Sequence, residues 1–147
     1  TFTWGFSLQP VAVDTSTGAA AVVVSLDFTD SPGNRYSVQF TLEQDGGPIR
    51  LRLEEESGFV DGGASYVPHP LPDPLVVGQW TRVTLVMTRS AATSASVHVS
   101  FGATTELDTP LAMTVDATTL QMSVGSSYET EPSLGWTTRY DNVTLDF

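Results

Sequence analysis

Residues 135–147 read GWTTRYDNVTLDF, and residues 78–87 read GQWTRVTLVM. In the second stretch Val83, Leu85 and Met87 alternate with Arg82, Thr84 and Thr88. In the first, Val143, Leu145 and Phe147 alternate with Asn142, Thr144 and Asp146. An apolar residue at every second position is the signature of an extended strand with one face on a core.

The same period runs through the rest of the chain. Phe2, Trp4, Phe6 and Leu8 oppose Thr3, Ser7 and Gln9. Val22, Val24, Leu26 and Phe28 oppose Ser25, Asp27 and Thr29. Tyr36, Val38, Phe40 and Leu42 oppose Ser37, Gln39, Thr41 and Glu43, and Leu51 and Leu53 oppose Arg50, Arg52, Glu54 and Glu56. Val97, Val99 and Phe101, then Leu120, Met122 and Val124, repeat the pattern. Helical periodicity is nearly invisible. Turn signals lie between these runs, at Asp30-Ser31-Pro32-Gly33-Asn34, Asp45-Gly46-Gly47-Pro48 and Asp61-Gly62-Gly63. Residues 67–74 hold four prolines and predict an extended surface loop rather than a central strand. Eight or more short strands with turns between them predict an all-β, antiparallel, two-sheet jelly-roll β-sandwich. With no repeat and no composition shift, residues 1–147 are expected to be a single domain that closes with Phe147 in its core.

Composition narrows the function classes. Seventeen acidic residues against six arginines and no lysine give a net charge of −11. That surface disfavours nucleic-acid backbones and anionic membranes, and it suits neutral polymers or cations. No apolar run approaches the ~20 residues that span a bilayer. Cysteine is absent, which excludes disulfides and thiolate metal sites. A chain beginning at Thr1 without a leader is expected to be a trimmed, secreted or cell-surface protein. Arginine without lysine, with abundant Ala, Val and Thr, suggests a bacterial source.

The segment order resembles the concanavalin A-like lectin/glucanase superfamily, including laminin-G-like modules. The resemblance rests on Gly78-Gln79-Trp80 before an alternating strand, on Tyr140-Asp141-Asn142-Val143 in the closing strand, and on Val124-Gly125 before a long loop. It implies a scaffold shared by sugar binders, glycosidases, lyases and adhesion modules, and so selects no single function. The laminarinase-type Glu-x-Asp-x-x-Glu is missing, since Glu54-Glu55-Glu56 leads into Ser57-Gly58-Phe59-Val60-Asp61. The Tyr-Phe-Lys and Gln-x-His motifs of the alginate-lyase branch are missing too, and neither His69 nor His98 has that context. The metal loop of legume lectins has no match.

Several residues could carry chemistry. Arg50, Arg52, Glu54 and Glu56 share one strand face. They read as a polar surface that hydrogen-bonds a glycan, as a carboxylate pair for hydrolysis, or as an ordinary solvated face. Trp136, Tyr128 and Arg139 belong to or adjoin the loop GSSYETEPSLGW, where flat rings could stack on sugar faces. Tyr66 flanks the proline segment. Trp4 and Trp80 are expected in the core, and His69 and His98 at the surface. Asp141 falls on the core-facing parity when counted back from Val143. It therefore needs a partner, either Ca²⁺ held with Asp27, Asp30 and Asn34, or backbone N–H groups at a strand end or Arg139. Asn142-Val143-Thr144 is a glycosylation sequon.

With no recognisable catalytic motif, the expectation is a non-enzymatic extracellular module that binds a polysaccharide or other glycan, with one structural Ca²⁺ and no other cofactor. The alternatives are a structural or adhesion domain that binds a surface protein, and a glycosidase or polysaccharide lyase with an unrecognised site.

Overall fold

The alternating runs become ten strands in the computed structural model, which describes residues 1–12, 19–44, 46–58, 63–91, 94–113, 116–129 and 137–147, with backbone only for 19 and 126–129. The strands are β1 (Phe2–Ala12), β2 (Ala19–Thr29), β3 (Arg35–Gln44), β4 (Ile49–Gly58), β5 (Ala64–Leu75), β6 (Thr81–Ala91), β7 (Ser94–Phe101), β8 (Thr104–Leu111), β9 (Thr119–Glu129) and β10 (Thr137–Asp146). One sheet has the order β10-β1-β6-β7-β8 and the other β5-β4-β3-β2-β9; every pairing is antiparallel. The sheets pack as the jelly-roll sandwich that the alternation predicts.

Between the sheets, Trp4, Phe6 and Leu8 of β1 meet Leu26, Tyr36, Val38, Phe40 and Leu42, all fully buried. The rings of Trp4 and Phe6 lie 5.9 and 5.4 Å from that of Phe40, which joins the two layers through edge and tilted contacts. Asp30-Ser31-Pro32-Gly33-Asn34 is the turn that its residues predict. The Asp30 carboxylate accepts the backbone N–H groups of Gly33 (2.9 Å) and Asn34 (2.8 Å), and Gly33 takes a φ of 98°.

Four expectations are corrected. The proline-rich stretch is not a loop but the edge strand β5, paired to β4 alone. Pro68, Pro70, Pro72 and Pro74 share one parity, so the ladder to β4 runs through the alternate residues and the missing N–H groups fall on the free side. Trp80 is not in the core but 48% exposed. It precedes β6 and shares the parity of Arg82 and Thr84, opposite to buried Val83 and Leu85. Phe147 lies beyond the end of β10, is 87% exposed, and only approaches Phe2, with ring centroids 6.4 Å apart.

Asp141 is exposed, because a bulge intervenes between it and the residues used to count parity. Gly5 pairs with Thr144 but Ser7 pairs with Asp141, and Asn142 adopts a φ of 51°. Tyr140, not Asp141, therefore turns inward, and its hydroxyl donates to the Val23 carbonyl (3.0 Å).

Candidate functional site

Strand parity turns Ser37, Gln39, Thr41 and Glu43 of β3, Arg50, Arg52, Glu54 and Glu56 of β4, and Tyr66, Pro68 and Pro70 of β5 away from the core. Glu54 is nevertheless only 3% exposed, covered by its neighbours on the sheet surface. A buried carboxylate must be saturated with donors, and this one is. Thr41 Oγ1 (2.8 Å) and Gln39 Nε2 (3.1 Å) donate to Oε2, and Arg52 Nε donates to Oε1 (2.5 Å). A second Arg52 nitrogen also reaches Oε1, while Nη1 bridges to Glu43 (2.6 Å). Burial works against the Arg52 charge, but the bonds and charges of Glu54 and Glu43 outweigh it and hold the guanidinium above its usual range. Half-exposed Tyr66 completes the group. Desolvation, then its hydrogen bond to Glu54, pushes its phenol up to about 12.

The same face continues past β3 toward β9. Asp27 accepts Ser37 Oγ (2.8 Å), Arg35 Nε (3.0 Å) and Arg35 Nη2 (2.5 Å). Beside them an open pocket of about 820 Å³ is lined by Asp27, Thr29, Arg35, Thr119, Gln121 and their apolar neighbours Leu120 and Met122. Arg50 donates to the carbonyl of Pro72 at the β5 edge. This arrangement is a polar surface built on strands, with side chains fixed by one another rather than by loops.

A second polar cluster points inward. Glu55 shares the parity of Leu51 and Leu53 and is 2% exposed. Tyr36 OH donates to its Oε2, as does the backbone N–H of Ala112 (2.6 Å), and His69 Nε2 sits 2.7 Å from Oε1. Burial, then the adjoining carboxylate, raises the Tyr36 phenol far above its ordinary value. His69, expected at the surface, is thus part of the core's polar end, because it pairs in register with Leu53. His98 is partly exposed, across from Asp108. The inward parity of Glu55 is the signal in the sequence that points to its burial; its partners leave no such signal.

The expected binding residues are not one site. Arg50, Arg52 and Glu54 lie together on β4, whereas Arg139 lies on β10 in the other sheet. Trp136 lies outside the described residues, and of Tyr128 only the backbone is described, paired with Val22. The expected metal residues separate as well. Asp30 is closed on Gly33 and Asn34, including a bond from Asn34 Nδ2 (2.9 Å), and the Asn34 bond is the main cause that lowers its pKa. Asp27 serves Arg35 and the serines of its sheet. Asp141, on the opposite sheet, accepts the N–H of Asn142 (2.7 Å), the strand-cap alternative to a metal. Among the described residues no group of three or more His, Cys, Asp or Glu could hold a metal ion.

No protein-family model matches the sequence, and no curated protein matches it. A search of solved structures matches the structure of alginate lyase Aly36B, with a TM-score of 0.59 and 11% sequence identity, over 99% of this chain and 69% of that one. The likeness shows a shared fold. It also corrects the expectation of a non-enzymatic module, since an enzyme stands on the same architecture and the fold gives no ground for excluding catalysis.

Proposed function

We propose that this protein takes up a polysaccharide chain on the outward face of the sheet β5-β4-β3-β2-β9, at Arg52, Glu54 and Tyr66. The observation that carries the reading is the buried Glu54 on a face that parity turns outward. A carboxylate saturated by Thr41, Gln39, Arg52 and Tyr66 holds their remaining donors and acceptors in fixed directions, which is what a sugar's hydroxyls require. Tyr66, Pro68 and Pro70 add a flat apolar rim against which pyranose faces can lie. The alginate lyase that shares the jelly-roll scaffold supports the reading, as does the sequence's resemblance to concanavalin A-like domains. An extracellular location, where many such polymers lie, goes with the proposal.

Tyr66 is half exposed, so its ring can lie against a sugar face while its phenol stays hydrogen-bonded to Glu54. The test is affinity electrophoresis and reducing-end release on a panel of soluble polysaccharides. Tyr66→Ala is expected to lose retention. Tyr66→Phe, which keeps the ring, is expected to keep retention. Retention unchanged in Tyr66→Ala and in Glu54→Ala would remove this face from consideration.

A further inference from the structure

We infer that the polysaccharide held on this face is uncharged. The inference rests on the face assigned above and follows from the chain's supply of cations. Only six basic side chains besides histidine exist, all arginine, and each is placed. Arg82 serves the Asn142 carbonyl (2.6 Å) and Arg89 serves Asp116 (2.6 Å), both from strands of the opposite sheet, where Arg139 also lies. The face itself has Arg35, Arg50 and Arg52. Arg35 gives two donors to Asp27, Arg52 bridges Glu43 and Glu54, and Arg50 is held by the Pro72 carbonyl.

Against these three cations stand Asp27, Glu43, Glu54 and Glu56, on a chain of net charge −11. A polyuronate brings a carboxylate on every sugar. To dock here it would have to displace an ion pair that a buried carboxylate already completes, or lie near the exposed acid Glu56, where Arg50, held by the Pro72 carbonyl rather than by an acid, is a single charge against the acids of this face. Neutral sugars meet no such barrier. Their hydroxyls both donate and accept. The face offers carboxylate acceptors at Glu43 and Glu56, and mixed donors and acceptors at Gln39 and Gln121.

The experiment compares alginate with its carboxyl-reduced counterpart, the same backbone without charge, beside a neutral glucan, mannan and xylan. Binding is read by isothermal titration at low salt, where charge effects are largest. A neutral polymer is expected to bind, and alginate at least ~10-fold more weakly than its reduced form. Glu43→Gln, which removes one face carboxylate, is expected to narrow that ratio, with thermal melting to check that it folds. Alginate bound as tightly as its reduced form, with binding still lost in Tyr66→Ala, overturns the charge inference and leaves the face standing. No binding by any polymer, or binding indifferent to Tyr66→Ala, overturns the face and the inference with it.

Discussion

Glu106 on β8 shows what single burial events do to this acidic chain. One carboxylate oxygen accepts the backbone N–H of Asp73 (3.0 Å), and the other is buried without a partner. Desolvation raises its pKa above 4.5. A carboxyl raised in the folded state favours the protonated form there. Its contribution to stability is therefore full below the unfolded value and is lost as pH rises through the folded one. Glu106→Gln is expected to gain melting temperature over the parent as pH rises above about 4.5, and to lose that advantage below it. Parallel melting curves would refute the assignment. Glu106 shows no apolar alternation in its own segment, TELDTPL, so its burial was not readable from sequence. Glu55 continues the inward parity of Leu51 and Leu53, but its partners His69 and Ala112 lie 14 and 57 residues away. Only strand register brings such residues together.

At the scale of the element, irregularities decide what parity can say. Where no bulge interrupts the core segment, burial follows the apolar alternation residue by residue, as in Tyr36, Val38, Phe40 and Leu42 and in Val83, Leu85 and Met87. Asp141 escapes the parity of its strand because Asn142 inserts a left-handed residue into β10 and reverses the count. The bulge is testable on its own. A β-branched residue at a φ of 51° costs ~1–2 kcal/mol, whereas glycine adopts that angle freely. Asn142→Val is expected to lose about that much in chemical denaturation, and Asn142→Gly to stay near the parent. Equal losses would mean that the Asn142 side chain, not its backbone, matters. The β5 error has the opposite origin. Proline breaks a central strand, but alternate prolines at a sheet edge leave the neighbouring strand's ladder to run through the residues between them, interrupted here only at the bulge opposite Leu51.

For the whole molecule, alternation and turn chemistry specified the two-sheet architecture, and charge pointed away from nucleic acid. The site was legible only as a polar stripe on β4, because Tyr66, Gln39 and Thr41 join it through cross-strand register. The metal question also belongs here. The oxygens of Asp27 and Asp30 are taken by protein donors, and Asp141 faces away on the other sheet. EDTA is therefore expected to leave the melting temperature unchanged, and added Ca²⁺ not to raise it. A fall in EDTA that Ca²⁺ reverses would show a site elsewhere in the chain.

The alternate prolines of β5 reach beyond its own pairing. A neighbouring copy that tried to zip a strand onto this margin would find no N–H at positions 68, 70 and 74, so β5 is a poor template for edge-to-edge growth. The prolines thus blunt this margin against self-association without giving up its pairing to β4.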